Sequence, residues 1–215
     1  MRRVFASLLV VVSAATIAPA LAQNGGKPTC FFLECAPGDA TLPPPAIDLP
    51  PSRPAPAPAA LPRPSMAGEH CVRTGFGQVC TSSVLAPHKG ITYGPANMFD
   101  DRLDTAWVEG VDGDGIGERI LIEFDSQRPV AGVAMLNGYH KSSELFQRNA
   151  RVAGIYISTS DGAEFEATLD DDPGLQIRRF DRLLNLTWVA IEIAGSYAGT
   201  RYTDNAISEL RVLFE

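Results

Sequence analysis

The sequence has no excess of basic charge, and it lacks the motifs of the common enzyme families. Its 215 residues include 18 lysines and arginines against 25 aspartates and glutamates, a net charge of −7. Such a chain cannot readily neutralise phosphates, which argues against nucleic acid or an anionic membrane surface as a partner. No GxSxG or HExxH motif, phosphate-binding loop or dinucleotide fingerprint occurs, and none of the three histidines forms a motif with a nucleophile. We therefore expect no enzymatic activity.

One long apolar run is present, at the N-terminus. Arg2 and Arg3 precede apolar residues at 4–17 and an Ala-Leu-Ala sequence at 20–22. This order is typical of a secretory signal peptide, residues 1–22, with cleavage before Gln23. The run is short for a membrane anchor, and no second run of spanning length follows. We expect an exported protein, periplasmic or secreted, that is not inserted in a membrane after cleavage.

Proline and alanine dominate residues 36–65, which predicts an extended, semi-rigid linker. A spacer is favoured over a ligand for SH3-type domains, because such domains are not expected outside the cytoplasm. The linker separates a short cysteine-containing segment at 23–35 from a domain at 66–215. That domain is long enough to bury a core of its own.

The four cysteines are expected to form disulfides, since export places them in an oxidising compartment. The simplest of three possible connectivities is two local bridges, Cys30–Cys35 and Cys71–Cys80. Zinc is the alternative, but neither spacing is CxxC. The short loops predict modest stabilisation from each bridge.

Apolar residues in the domain alternate with a period of two, which indicates β-strands. Ile120, Ile122 and Phe124 follow this pattern, as do the runs at 189–193 and 210–214. Further short runs at 129–136, 151–158 and 163–169 are bounded by turn-forming residues, and no segment has a sustained helical period. The pattern predicts an all-β sandwich or jelly roll.

The order of motifs in the domain resembles the discoidin (coagulation-factor type C) superfamily, whose fold is a galactose-binding-like jelly roll. The motifs that carry this resemblance are NMFD at 97–100, DTAW at 104–107, STSDG at 158–162 and AISEL at 206–210. A narrower resemblance is to the NADase-type glycan-binding domain branch. It rests on WVEG at 107–110, GDGIGE at 113–118, NGYHKS at 137–142, NAR at 149–151 and YTDNAI at 202–207. The resemblance implies a carbohydrate-binding-like sandwich without catalytic activity.

The resemblance also implies a structural calcium ion. In sugar-binding relatives this ion often lies where an early Asp…Thr loop meets a late glutamate, and Asp100, Thr105 and Glu209 match those positions. Arg102 departs from the pattern, because many relatives carry an acidic or amide residue there. Without metal, Arg102 is expected to pair with Asp104 or Glu209. The acidic run at 112–118 is a second calcium candidate, but a glycine-rich turn is the favoured interpretation.

Ligand contacts are expected from the loops at one end of the sandwich. The candidate ligand-binding residues are Trp107, Tyr139, His140, Lys141, Arg148, Arg151 and Tyr202. Trp107 either stacks on a sugar ring or, as its segment favours, belongs to the core. Arg151 either donates to a ligand or pairs with a nearby acid.

The sequence therefore predicts an exported, non-catalytic module that binds glycan or another cell-envelope component. The alternative is a structural or protein-interaction module that uses the same fold without binding sugar. Saccharide binding separates the two.

Overall fold

The computed structural model describes residues 60–66 and 68–215. These belong to one compact unit, residues 54–215. The predicted signal peptide, the 23–35 segment with Cys30 and Cys35, and most of the predicted linker lie outside the described residues. In the part of the chain that the structure describes, no helix is long and apolar enough to cross a membrane.

The domain consists of eight antiparallel strands, one short α-helix and one 3₁₀ turn. The strands are β1 His70–Arg73, β2 Gly77–Thr81, β3 Trp107–Val108, β4 Arg119–Asn137, β5 Arg151–Thr159, β6 Glu164–Thr168, β7 Gln176–Tyr197 and β8 Ala206–Phe214. Helix α1 spans Ser143–Arg148, and the 3₁₀ turn spans Pro95–Met98.

The two longest strands, β4 and β7, each contribute to both layers of the sandwich. The first half of β4 pairs with β2 and with the second half of β7. After register shifts between Glu123 and Arg128 and between Val130 and Gly132, its second half pairs with β8 and the first half of β7. Such shifts bend a strand and increase its twist. The predicted all-β sandwich is confirmed.

The core lies between the layers and consists of the inward residues of the alternating strands. Ile120 and Ile122 of β4 pack there with Val189 and Ile191 of β7. A smaller apolar cluster lies on the outer face of the same layer, where Leu121 and Trp188 contact Met66. Met66 follows the linker, so the segment before β1 covers part of this outer face.

The β1–β2 hairpin contains the disulfide Cys71–Cys80. The two cysteines are directly opposite in the antiparallel register, which brings their side chains together. This pairing was predicted and is confirmed. Among the described residues, the one group of histidine, cysteine or acidic side chains with metal-ligand spacing is Glu69 with these two cysteines. The disulfide occupies both sulfur atoms.

Candidate functional site

A cavity of about 490 Å³ opens where the β4–β5 connection meets the β6–β7 loop. It is lined by His140, Ser142, Ser143, Phe146, Gln147, Arg151, Asp171 and Pro173. Aromatic, charged and neutral polar side chains therefore share one concave surface, which offers a small ligand both an apolar contact and hydrogen-bonding groups.

Local hydrogen bonds hold the β4–β5 connection in place. Asn137, buried at the end of β4, bonds the backbone of Val152 through its Nδ2 (2.7 Å) and its Oδ1 (2.9 Å). Ser142 caps α1 by accepting from the Leu145 amide at 3.1 Å. Gly138 has φ +94°, and an added Cβ would lie 2.7 Å from the Phe146 ring. Only glycine allows this approach.

Arg151 anchors the floor of the cavity. Its Nε and Nη2 donate to the two oxygens of Asp171 at 2.8 Å and 2.6 Å. Its Nη1 donates to the carbonyls of Asn149 and Ala198. The Arg151 side chain is 9% exposed and that of Asp171 is 41% exposed. Four of the five donor N–H groups are thus used within the protein, and a ligand meets chiefly the open side of the Asp171 carboxylate.

Phe146 and His140 form the aromatic wall. The guanidinium carbon of Arg151 lies 5.4 Å from the Phe146 ring centre, and the His140 ring meets Phe146 edge-on at 5.5 Å. Nε2 of His140 is 2.8 Å from the Asn137 carbonyl oxygen. Because a carbonyl only accepts, Nε2 carries a proton and donates it to this oxygen.

The structure places only His140 and Arg151, of the seven predicted ligand residues, in the cavity lining. Lys141 is exposed on the same connection, and Arg148 of α1 pairs with Glu144 at 2.6 Å. Tyr202 is 38% exposed, with the Arg201 guanidinium 5.3 Å from its ring centre. These three remain candidates for contacts at the rim.

Trp107 and Tyr139 are buried. The favoured interpretation of Trp107 as a core residue is confirmed, whereas the prediction of either side chain as a ligand contact is wrong. Trp107 is fully buried, and its Nε1 donates to the Ser83 carbonyl at 3.0 Å. Tyr139 is 5% exposed, and its hydroxyl donates to the Asp104 carbonyl at 3.2 Å. Burial raises the pKa of Tyr139 above its ordinary value. Both side chains can be buried in the core because their polar groups donate hydrogen bonds to backbone carbonyls.

Sequence reasoning missed Phe146, Gln147, Ser142 and Asp171. Asp171 belongs to an Asp-Asp-Asp run before Pro173 that reads as a solvated turn. The alternative that Arg151 pairs with a nearby acid is confirmed, although the sequence did not identify the acid as Asp171.

The predicted calcium residues do converge, around one backbone amide. The Arg102 N–H lies 3.0 Å from Oδ1 of Asp100 and 2.9 Å from Oε1 of Glu209. Thr105 donates its hydroxyl to Asp100 at 2.9 Å. Burial raises the pKa of Glu209, and the neighbouring acids raise it further. The group offers only oxygen ligands, which is the chemistry that Ca²⁺ prefers.

The Arg102 guanidinium faces away from this group. It donates to both oxygens of Asp104, at 3.1 Å and 2.8 Å. Of the two predicted partners, Asp104 is correct and the Glu209 side chain is not paired with the guanidinium. The arginine side chain therefore does not stand in for a cation between Asp100 and Glu209.

The acidic run at 112–118 forms a glycine-rich turn over a buried carboxylate. Gly113, Gly115 and Gly117 all have positive φ. An added Cβ on Gly115 would lie 2.7 Å from the side chain of Glu109, which is fully buried. Glu109 accepts from the amides of Val111 and Asn205, yet burial raises its pKa to about 7.

Comparison with known proteins identifies the domain. A family model described as the NAD glycohydrolase translocation F5/8 type C domain matches residues 70–213. The chain belongs to this family. The resemblance to the discoidin superfamily and to its NADase-type branch is thereby confirmed. No curated protein matches the chain.

Two solved structures are similar to this F5/8 type C domain. The arabinofuranosyltransferase AftD from Mycobacteria matches with 19% identity and a TM-score of 0.51, over 68% of this chain and 11% of that chain. The family 32 carbohydrate-binding module of NanJ from C. perfringens, solved with galactose, matches with 17% identity and a TM-score of 0.48, over 62% of this chain and 90% of that one. At 19% identity the likeness to AftD shows the fold alone.

Proposed function

We propose that this domain is an exported, non-catalytic module that binds a glycan of the cell envelope in the cavity beside α1. The observation that carries the proposal is the set of groups in that cavity. Phe146 offers an aromatic surface, while Asp171, Gln147 and the serines offer hydrogen-bond acceptors and donors. A saccharide presents apolar C–H faces and many hydroxyls, so it needs both kinds of contact.

The electrostatics favour a neutral or hydroxyl-rich ligand over an anion. Four of the Arg151 donor groups are already satisfied, and Asp171 presents its carboxylate at the open side. A carboxylate accepts hydrogen bonds from hydroxyls but repels a second anion. Gln147 is exposed and can both donate and accept. Neutral saccharides are therefore the substances to test first.

The test is a glycan array together with a pull-down on isolated envelope polymer, using the full chain. We expect saccharide binding that Phe146→Ala and Gln147→Ala each weaken at least about tenfold, because each removes a direct contact of about 1.4 kcal/mol. The matched control is Phe214→Ala. Phe214 is a partly exposed aromatic at the end of β8, and it lines a different cavity.

Two results would contradict the proposal. The first is an absence of saccharide binding together with capture of a specific protein partner, which would support the protein-interaction alternative. The second is binding that Phe214→Ala weakens as much as Phe146→Ala. That result would place the contact elsewhere or trace it to lost stability.

A further inference from the structure

The last residues of the proline-rich segment lie in a groove on the outer face of the sheet. The Leu61 amide donates to the Ser160 carbonyl at 2.7 Å. The Leu61 carbonyl accepts from Nε1 of Trp188 at 2.9 Å. Leu61, Pro62 and Pro64 then line a cavity of about 370 Å³ with Trp188 and the turn at Gly162. Both backbone groups of Leu61 are thus bound by the folded domain.

The segment from 61 to 64, Leu-Pro-Arg-Pro, is pre-organised for this contact. Proline fixes its own φ and restricts the preceding residue to extended conformations, so four consecutive residues lose little freedom on docking. An extended proline-rich segment has no internal backbone hydrogen bonds, so its carbonyl groups are free to accept hydrogen bonds from a partner. The indole N–H of a tryptophan can donate to such a carbonyl. Trp188 is only 7% exposed, and its N–H is used for this contact.

Arg63 and Met66 extend the contact along the sheet. Arg63 donates to both oxygens of Glu69 at 2.7 Å and 2.9 Å, and its Nε lies 3.3 Å from Glu123 of β4. This pairing lowers the pKa of Glu69. Met66 packs against the cluster that contains Trp188. The charged pairs are partly exposed and contribute little energy, but they fix the direction in which the segment lies.

The groove is at the opposite end of the sandwich from the candidate ligand cavity. Strand β5 begins at Arg151, which lines the ligand cavity, and ends at Thr159, directly before Ser160. Eight steps of about 3.3 Å separate the two ends by roughly 26 Å. Residues 61–64, bound beside Ser160, therefore lie at the end of the sandwich away from the ligand cavity.

We propose that Trp188 and its neighbours form a binding site for a proline-rich segment, and that its occupant is residues 61–64 of this same chain. The site fixes residues 61–64 on the domain, at the end of the sandwich away from the ligand cavity. Docking of the segment does not depend on the proposed saccharide binding, because the saccharide would bind in the cavity beside α1 at the opposite end of the sandwich.

The first test measures amide exchange of Leu61 in the full chain. We expect Trp188→Phe, which keeps an aromatic side chain but loses the indole N–H, to speed this exchange about five- to tenfold. The control is Tyr197→Phe, which also removes one side-chain hydrogen bond from β7, to the Leu169 carbonyl. We expect the control to change Leu61 exchange less than about twofold. Equal exchange in the wild type and Trp188→Phe would overturn the proposal.

The second test supplies the segment as a separate peptide. The double variant Pro62→Gly/Arg63→Ala changes only exposed residues and should release the segment from the groove. A synthetic peptide of residues 57–66 should then shift the Trp188 indole N–H signal of this variant. In the wild type the tethered segment competes at an effective concentration of about millimolar, so the peptide shifts the signal much less.

Two outcomes of these tests would contradict the assignment. A peptide that leaves the Trp188 signal of the double variant unchanged would show that the groove does not recognise the segment. Leu61 protection that rises with protein concentration would show that a second copy supplies the occupant. Protection that is independent of concentration supports the assignment within one chain.

Discussion

Arg151 and Asp171 form a bidentate ion pair between the start of β5 and the β6–β7 loop. The arginine is nearly buried, whereas the aspartate faces the cavity. The same ion pair therefore stabilises the fold and fixes the position of Asp171 in the candidate site. A ligand that hydrogen-bonds to Asp171 contacts a group that the protein already holds in position, which lowers the ordering cost of binding.

Asp171→Ala should destabilise the domain by about 1–2 kcal/mol, because it leaves a nearly buried guanidinium with two unpaired donors. The control is Asp170→Ala. Asp170 is 85% exposed and lies 3.9 Å from Arg178, so its loss should cost less than about 0.5 kcal/mol. Urea unfolding of the three proteins gives both values. Equal stability of the two variants would show that the pair does not hold the loop.

The predicted strands are those whose sequence carries apolar residues at every second position. The runs in β4, β5, β8 and the second half of β7 were predicted on that pattern, and its inward residues, such as Ile120 and Ile191, lie in the core. The first half of β7 was missed, since its buried residues Gln176, Phe180 and Leu184 recur every four positions. The β1–β2 hairpin was missed as well, because β1 is mostly exposed.

The candidate site was predictable only in part, for a physical reason. Local sequence shows that residues after Gly138 leave a strand, and His140 was selected on that ground. It does not show which side chains of a loop turn inward, so Tyr139 was placed in the ligand site although its hydroxyl bonds the Asp104 carbonyl. Asp171 reaches Arg151 from twenty residues away in sequence, and only the folded chain brings them together.

The stability of the domain should fall as the pH rises from about 5 to 7, owing to Glu109. Burial raises the pKa of this carboxyl from 4.5 to about 7, so the folded state favours its protonated form. The stabilisation is complete below pH 4.5 and is lost as the pH rises through 7, on the order of 2–3 kcal/mol. Burial also raises the pKa values of Asp204 and Glu209, which act in the same direction.

Glu109→Gln should flatten this pH dependence. The amide keeps one acceptor oxygen for the two backbone donors, so the variant should be less stable than the wild type at pH 5 by about 1–2 kcal/mol. At pH 8, where the wild-type carboxylate is charged, the difference should shrink or reverse. Urea unfolding at pH 5, 6, 7 and 8 measures both curves. Parallel curves would mean that Glu109 does not titrate in this range.

Reduction of Cys71–Cys80 should weaken the edge hairpin rather than unfold the domain. The bridge closes a loop with a sequence separation of 9, for which chain entropy gives about 2.5 kcal/mol. Cys71→Ser/Cys80→Ser should lower stability by that amount or less and leave a cooperative transition. Complete unfolding of the double variant at 25 °C would show that the bridge holds the fold.

The predicted Cys30–Cys35 bridge needs a separate measurement. Peptide mapping of exported protein under non-reducing conditions should recover both cysteines in one disulfide-linked fragment. Free thiols at these positions, or a link from Cys35 to Cys71, would contradict this pairing.

Calcium should raise the melting temperature of the domain if Asp100, Thr105 and Glu209 hold the ion. The two carboxylates point at one amide with no guanidinium between them, so a cation would offset the burial and the repulsion from Asp100 and Asp101 that raise the pKa of Glu209. At a hundredfold excess over Kd the gain is about 2.7 kcal/mol, or on the order of 5–10 °C for a domain of this size. Glu209→Ala should abolish the rise, whereas Asp112→Ala, in the glycine-rich turn, should retain it. Equal melting temperatures of the wild type in calcium and in chelator would show that Asp100, Thr105 and Glu209 do not hold the ion.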